Sequence, residues 1–250
     1  MTPENRRVRD AFSQAEHYDS AATVQAETAR RLASRIAGHL RVCPASILEI
    51  GCGTGLLSLE LAAAFPEAHL TLTDISGAML ARCRSRLGAG PTYLVMDGEA
   101  AEGAAGSFDL IVSSLAMQWF TDLPGSIARL MRMLAPGGRL IFATLGCHSF
   151  KEWRQALASL GLNCGLHDYP SAENFALPSG VTAHIAEEVI SQHHESGHAF
   201  VRALKTLGAS TPRAGYRPLQ AGTLRRVLAK LNGRFAVSYH ILYVKIETPS

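Results

Sequence analysis

Residues 48–61 read LEIGCGTGLLSLEL, and this stretch decides the fold. An apolar run ends at Ile50, the glycine-rich turn 51–55 follows, and the apolar spacing from Leu56 onward is typical of a helix. Glycine accepts positive φ angles and lets a ligand approach the backbone, while the first turn of a helix presents free N–H groups. The stretch therefore predicts a buried strand, a turn that can bind an anionic ligand, and a helix.

The same alternation continues along the chain after this turn. Short apolar runs of strand type are separated by segments with helical periodicity. These runs occupy 46–50, 69–74, 92–97, 108–114 and 138–145. Because unbroken apolar runs suit strands that are buried on both faces, the pattern predicts an α/β fold with a doubly wound, mostly parallel sheet.

The length of 250 residues suits a single α/β domain with a large core. We expect one domain whose middle part carries the ligand site. Its expected parts are an N-terminal helical lid segment (1–40), a cofactor-binding core (46–145), lid insertions around the penultimate strand (146–235) and a last strand (235–247).

The composition excludes several classes of protein. A formal net charge of +3 does not require a nucleic-acid partner. No apolar run is long enough to span a bilayer, and the polar first residues lack the apolar segment of a signal peptide. The five cysteines form no C-x-x-C pair, which favours a reducing compartment over a disulfide framework. We therefore expect a cytoplasmic protein without nucleic-acid or membrane partners.

The spacing of the glycines separates two kinds of nucleotide site. A dinucleotide-binding turn reads G-x-G-x-x-G/A, whereas here the third small residue, Gly55, comes one place early. The G-x-G-x-G turn, with Glu49 two places before it, resembles motif I of the class I S-adenosylmethionine-dependent methyltransferases. S-adenosylmethionine has no pyrophosphate, and its amine and sulfonium favour a carboxylate such as Glu49. The resemblance implies S-adenosylmethionine as the cofactor, on a Rossmann-like class I methyltransferase fold with a mostly parallel seven-stranded sheet, helices on both faces and a helical lid.

Acidic residues also end the second and third predicted strands. Asp74 comes roughly 20 residues after the glycine turn, where a carboxylate can accept hydrogen bonds from ribose hydroxyls. Asp97 stands where the superfamily contacts the adenine amino group, although it is also a suitable helix N-cap. The candidate cofactor-binding residues are Gln25, Glu49, Gly51, Gly53, Gly55, Asp74, Ile75, Met79, Asp97, Gly98 and Ser113.

Several further segments resemble one family within this superfamily. They read AFSQAEHYDSAATVQ (11–25), SSLAMQWFTDL (113–123), ATLGCHSFKEW (143–153), LKTLGAS (204–210) and YHILYV (239–244). Together they look like the malonyl-acyl-carrier-protein O-methyltransferases, which act early in biotin synthesis. The resemblance implies a malonyl thioester as substrate, on acyl-carrier protein or on coenzyme A. The loop 161–180 departs from the family pattern, as does His148, which stands where glycine is expected.

A malonyl carboxylate is ionised at neutral pH, so its methylation needs no general base. The site needs groups that orient the carboxylate, and Tyr18, Gln118 and Trp119 are the candidate donors, although Trp119 also suits a core position. A cation is expected to pair with the carboxylate or with a prosthetic-group phosphate. Lys205 is the first candidate, followed by Arg213 and Arg217. We predict no metal site, because the cluster of His193, His194 and His198 lacks a completing ligand at suitable spacing.

A basic helix near the end of the chain is a candidate docking surface for an acidic carrier protein. Its residues are Arg225, Arg226, Lys230 and Arg234, and a solvated helix face explains them as well. Two rival functions stay open. One is a related methyltransferase that acts on a free carboxylic acid or a quinone, and the other is a non-catalytic protein on the same fold.

Overall fold

The computed structural model describes residues 1–15, 17–209, 211–213 and 215–247. Its centre is a seven-stranded sheet with the order β3-β2-β1-β4-β5-β7-β6. The strands are β1 Ser46–Ile50, β2 His69–Asp74, β3 Thr92–Val95, β4 Phe108–Ser114, β5 Leu134–Leu145, β6 His184–His194 and β7 Phe235–Glu247. Strands β1 to β5 pair in parallel, and β7 is antiparallel to both β5 and β6. The predicted α/β fold, mostly parallel and seven-stranded, is confirmed.

Helices cover both faces of this sheet. They are α1 Pro3–Ser13, α2 Tyr18–Ala21, α3 Thr23–His39, α4 Leu56–Ala64, α5 Gly77–Leu87, α6 Leu123–Met133, α7 Lys151–Ala158, α8 Gly197–Thr206 and α9 Ala221–Ala229. Short 3₁₀ helices occupy Gly98–Ala100 and Met117–Trp119. We call α1 and α2 the N-terminal lid.

The strand order reverses direction at β1, because β2 lies on one side of it and β4 on the other. In open α/β sheets a crevice forms at such a point, beyond the carboxyl ends of the strands, and ligands bind there. The glycine turn 51–55 directly follows β1 and therefore stands at this crevice. The topology thus places a crevice beside the glycine turn, at the position where sheets of this kind bind ligands.

Apolar side chains fill the space on each side of the sheet. One face is covered by α3 and α4, whose Leu32, Ile36 and Leu61 are fully buried. The other face is covered by α6, whose Ile127 and Leu130 are fully buried. Burial of one such side chain stabilises the fold by about 1.5–3 kcal/mol, so these layers fix the strands that carry the site.

The segment 1–40, expected to be helical, is divided into three helices. Contacts with α5 hold the chain where the first helix ends, since Ser13 Oγ lies 2.8 Å from Ser76 Oγ and the Arg82 guanidinium donates to the Ala15 carbonyl oxygen. These contacts stabilise the end of α1 and the turn that follows it, in place of one continuous helix. The fifth strand also begins earlier than predicted, at Leu134, and its pairing with β4 contains an irregularity near Phe108.

Candidate active site

A cavity opens at the carboxyl ends of β1 and β2, and we call it the glycine-loop cavity. Helix α1 covers it from outside, and the ends of β3 and β4 close its far side. Its lining includes Asn5, Val8, Phe12, Tyr18, Gln25, Glu49, Gly51, Gly53, Asp74, Ile75, Met79, Asp97, Gly98, Ser114, Leu115 and Trp119. Most of the predicted cofactor-binding residues therefore lie around one space.

The three predicted glycines of the turn are needed for two different structural reasons. Gly51, Gly53 and Gly55 all have positive φ angles. A Cβ on Gly51 would lie 2.4 Å from the Cβ of Ala116, and one on Gly55 would lie 2.9 Å from Cys83 Sγ. A Cβ on Gly53 would meet no protein atom within 4 Å. Gly51 and Gly55 therefore permit close packing within the protein, while Gly53 leaves room inside the cavity.

Glu49 lies on β1 and is almost fully buried beneath the glycine turn. Its Oε2 accepts a hydrogen bond of 2.6 Å from Ser58 Oγ on α4. Burial raises the pKa of Glu49 to about 8, since the hydrogen bond from Ser58 offsets only part of the lost hydration. The carboxyl group is therefore suited to gain its negative charge when a cation enters the cavity.

Asp74 ends β2 and holds two backbone segments together. Its Oδ2 accepts from the Gly53 N–H at 2.9 Å, and its Oδ1 accepts from the Ser76 N–H at 2.8 Å. Burial raises the pKa of Asp74, although these hydrogen bonds act to lower it. Asp74 therefore fixes the glycine turn relative to the start of α5, and its carboxylate still lines the cavity.

A second cavity, which we call the inner pocket, adjoins the first. The two share the side chains of Phe12, Tyr18, Gln25, Leu115 and Trp119. The remaining walls are Gln118, Leu145, Phe150, Leu166, Tyr169, Leu204, Leu207, Ala209 and Tyr239. Because the two cavities share these residues, they lie directly next to each other.

The inner pocket carries buried polar atoms without hydrogen-bond partners. They are Gln25 Oε1, Gln118 Oε1 and Trp119 Nε1. A buried polar atom without a partner costs roughly 1–3 kcal/mol, so such atoms concentrate where a ligand completes them. Tyr18 lies beside them, and burial raises the pKa of its phenol, which therefore stays a neutral donor.

Two wall residues of the inner pocket have left-handed backbone conformations. Leu115 has φ = 50° and Phe150 has φ = 58°. Non-glycine residues with positive φ are uncommon, and they concentrate at functional sites, where the surrounding structure holds them. Leu115 directly follows β4, so this conformation turns the chain into the segment that carries Gln118 and Trp119.

Three predicted residues lie outside the cavities. Ser113 points into the sheet, where its hydroxyl donates to the Ile50 carbonyl oxygen at 2.9 Å, and the neighbouring Ser114 lines the cavity instead. Gly55 packs against α5. Lys205 is exposed, because the turn of α8 directs Leu204 and Leu207 into the inner pocket instead.

Other wall residues of the two cavities were not predicted from the sequence. Asn5, Val8 and Phe12 form one face of α1, with the i, i+3, i+7 spacing that a helix would give them. Leu166 and Tyr169 come from the loop 161–180, and Tyr239 from β7. Of these residues, only those of α1 have a regular spacing in the sequence that could have indicated a shared face.

The remaining charged candidates lie on the surface. Arg213 pairs with Asp168 at 3.3 Å, and Arg225 and Arg226 are exposed on α9. Over the described ranges, no cluster of three histidine, cysteine or acidic residues could hold a metal ion. Within the same ranges, none of the helices combines the length and apolar character needed to cross a membrane.

Comparison with known proteins identifies the family. A family model described as a methyltransferase domain matches residues 47–138, which span β1 to the start of β5. A malonyl-[acyl-carrier protein] O-methyltransferase from Magnetococcus marinus is 42% identical over 96% of this chain and 91% of its own length. The chain belongs to the malonyl-[acyl-carrier protein] O-methyltransferase family. The predicted class of enzyme, an S-adenosylmethionine-dependent methyltransferase, is thereby confirmed.

Other relatives agree with this assignment. A protein of the same name from Halorhodospira halophila is 32% identical over 96% of this chain and 86% of its own length. The biotin biosynthesis bifunctional protein BioCD of Bordetella avium is 43% identical over the whole of this chain. This chain spans about half of that bifunctional protein, namely 54% of its length.

Solved structures share the fold at low sequence identity. The YcgJ protein of Bacillus subtilis has a TM-score of 0.60 at 12% identity, over 88% of this chain and 99% of that protein. The plantazolicin methyltransferase BpumL has a TM-score of 0.54 at 15% identity, over 98% and 95% of the two chains. The class I methyltransferase fold is thus common to proteins with little sequence in common.

Proposed function

We propose that this protein methylates the free carboxylate of a malonyl thioester carried on acyl-carrier protein, as an early step of biotin synthesis in the cytoplasm. The observation that carries the proposal is the pair of cavities that share a wall at Tyr18, Gln25 and Trp119. One cavity is built like a nucleotide site, and the other is apolar apart from neutral polar groups. The names of the close relatives support the choice of substrate.

The residues of the glycine-loop cavity fit S-adenosylmethionine. The space beside Gly53 is open, and the carboxylates of Glu49, Asp74 and Asp97 all reach the lining. In the proposed arrangement Glu49 faces the amine end, Asp74 binds the ribose hydroxyls and Asp97 accepts from adenine. Ile75 and Met79 supply apolar contacts to the nucleoside. When bound, S-adenosylmethionine supplies an electrophilic methyl group on a cationic sulfur.

The inner pocket is proposed to hold the malonyl group. Among the residues that the structure describes, neither lysine nor arginine lines this pocket. Tyr18 and Trp119 can instead donate hydrogen bonds to the carboxylate from neutral groups, with Gln25 at the wall between the cavities. The Nε2 of Gln118 donates one hydrogen to the Leu115 carbonyl oxygen at 2.6 Å, which leaves its second hydrogen for the carboxylate. The apolar walls exclude water around the reacting atoms.

A neutral pocket suits this reaction for an electrostatic reason. The carboxylate loses its negative charge as it becomes an ester. A fixed cation beside it would therefore stabilise the reactant more than the transition state, which slows the reaction. Neutral donors orient the carboxylate and stabilise its charge less than a cation would. The protein then accelerates the reaction by positioning the reactants and by excluding water.

The proposal is tested with labelled S-adenosylmethionine and a panel of acceptors. The panel contains malonyl-carrier protein, malonyl-coenzyme A, acetyl-carrier protein, free malonate and a quinone. We expect label only on the malonyl thioesters. With S-adenosylmethionine saturating, the rate should be flat from mildly acidic to neutral pH, because the nucleophile is already ionised. Equal labelling of free malonate or the quinone would contradict the proposal.

The raised pKa of Glu49 predicts that cofactor binding releases a proton near neutral pH. The free protein holds Glu49 protonated below a pKa of about 8, whereas a bound cation favours the carboxylate. Affinity for S-adenosylmethionine should therefore rise as the pH approaches 8 from below and then level off. Calorimetry at pH 7 in buffers of different ionisation enthalpy measures the released proton. The Glu49→Gln variant is the control, and release of the same proton by that variant would assign it to another group.

The exposed position of Lys205 changes the expectation for this residue. Lys205→Ala should leave the kcat/KM for a small malonyl thioester within about twofold, as is usual for a surface residue. Trp119→Phe should lower it by about tenfold or more, since a hydrogen bond to a charged group contributes about 1.5–3 kcal/mol. Steady-state kinetics of both variants make the comparison. The reverse order of effects would mean that Lys205 reaches the substrate.

A further inference from the structure

Asn5 is a polar residue of the N-terminal lid that is almost completely buried. Its Nδ2 lies 3.0 Å from Asp97 Oδ2, 3.2 Å from Asp97 Oδ1 and 2.9 Å from Glu99 Oε2. Only the NH₂ end of an amide can face these carboxylate oxygens, so the orientation of the side chain is fixed by chemistry. Asn5 therefore donates from the lid to acidic residues that follow β3.

Hydrogen bonds hold the side chain of Glu99 in place for this contact. Its Oε1 accepts from the backbone N–H groups of Thr121 at 2.7 Å and Asp122 at 2.6 Å, and also from the Thr121 hydroxyl. Burial acts to raise the pKa of Glu99, but the hydrogen bonds from Thr121 and Asn5 outweigh it and hold the pKa below its ordinary value. Glu99 is thus a charged and well-anchored acceptor.

The carboxylate of Asp97 accepts fewer hydrogen bonds than that of Glu99. Its Oδ1 accepts from Asn5 and from the Glu99 N–H, both at 3.2 Å, while its Oδ2 accepts from Asn5 at 3.0 Å. Each carboxylate oxygen can accept two hydrogen bonds. Because Asp97 lines the glycine-loop cavity, Oδ2 has capacity for a donor inside that cavity.

We propose that Asn5 is a positioning residue that docks the N-terminal lid on Asp97 and aims this carboxylate at the amino group of adenine. The inference rests on the proposed function only in assigning the cavity to S-adenosylmethionine. A donor on a ligand in the cavity and the amide of Asn5 then bind the same carboxylate. Binding of an adenine nucleoside and closure of the lid therefore support each other.

This coupling reaches the inner pocket because the lid carries part of its wall. Phe12 and Tyr18 line both cavities, and their rings are in edge-to-face contact at 6.3 Å. Asp19 also ties the lid to the glycine turn, since its Oδ1 accepts from Thr54 Oγ1 at 2.6 Å. The docked lid thus completes the inner pocket, so the nucleoside is expected to bind before the acyl substrate.

The test compares two ligands that differ at a single position of the base. S-adenosylhomocysteine carries the amino group that donates to Asp97, whereas its analogue with an unsubstituted purine base carries a hydrogen atom there. Asn5→Ala should weaken binding of S-adenosylhomocysteine by about tenfold, the usual effect of losing a charge-assisted hydrogen bond, and change that of the purine analogue by less than about twofold. Asn5→Asp places a further carboxylate beside Asp97 and should weaken S-adenosylhomocysteine more than Asn5→Ala does.

The matched control is Gln14→Ala, which removes an exposed amide just after the same helix and should leave both affinities unchanged. Calorimetry gives the dissociation constants, and melting temperatures check that each variant is folded.

Hydrogen exchange of residues 1–15 provides a second readout. S-adenosylhomocysteine should slow this exchange in the wild type and slow it less in Asn5→Ala. An equal loss of affinity for both ligands, or no loss for either, would overturn the proposal. Neither of these two outcomes would contradict methyl transfer to a malonyl thioester, because the acceptor panel tests that reaction separately.

Discussion

Gly53→Ala is expected to weaken S-adenosylmethionine binding by about a hundredfold while leaving the free protein folded. The methyl group would meet no protein atom within 4 Å, so it would occupy space in the glycine-loop cavity itself. Overfilling a well-packed site costs about 1–3 kcal/mol, which is about tenfold to a hundredfold in affinity. The positive φ of Gly53 adds about 1–2 kcal/mol of backbone strain in the variant. Calorimetry measures the affinity, and urea denaturation measures the stability.

Gly51→Ala is the matched control, because its effect should fall on folding. The new Cβ would lie 2.4 Å from Ala116 Cβ, which forces the backbone after β4 to move. We expect a clear drop in the free energy of unfolding for Gly51→Ala and a smaller one for Gly53→Ala. Normal cofactor affinity in a folded Gly53→Ala variant would show that the ligand does not lie against this turn.

Asp74→Asn is expected to lower cofactor affinity by about 1.5–3 kcal/mol, or roughly tenfold to a hundredfold, through loss of the charged acceptor. The substitution also places an NH₂ group against the N–H of either Gly53 or Ser76, since each carboxylate oxygen already accepts from one of them. The glycine turn and the start of α5 should therefore separate slightly. Titration calorimetry of the purified variant measures the loss.

Asp109→Ala provides a control at the opposite end of the sheet. Asp109 Oδ2 accepts from the backbone N–H groups of Ala45 at 2.8 Å and Ser46 at 2.9 Å. This variant loses both hydrogen bonds, so it should lose stability but keep its affinity for S-adenosylmethionine. If both variants lost affinity equally, the effect of Asp74 would be a general consequence of destabilisation.

The sheet and the glycine turn could be predicted because their signals are local. Apolar runs mark strands buried on both faces, and the turn follows β1 directly in the sequence. Glu49, Asp74 and Asp97 stand at the ends of consecutive strands, and parallel strands bring such ends to one edge. Their approach to one cavity therefore follows from chain order alone.

The walls contributed by distant segments could not be predicted in this way. Asn5 meets Asp97 across 92 positions of the chain, through a docking of α1 that helical periodicity does not specify. Lys205 illustrates the same difficulty, because membership in a family-like segment does not reveal which face of α8 points inward. Leu204 and Leu207 face the pocket, while the lysine between them faces solvent.

Transfer of the methyl group to a malonyl carboxylate can be followed on the carrier protein itself. The measurement is mass spectrometry of intact malonyl-carrier protein after incubation with the enzyme and S-adenosylmethionine. We predict that the malonyl-carrier protein gains the mass of one methylene unit, while acetyl-carrier protein stays unchanged. Base cleaves both the thioester and a methyl ester, so the acid that it releases from the methylated product should be malonate. Release of methylmalonate, or an equal gain of mass on acetyl-carrier protein, would contradict methylation of the carboxylate.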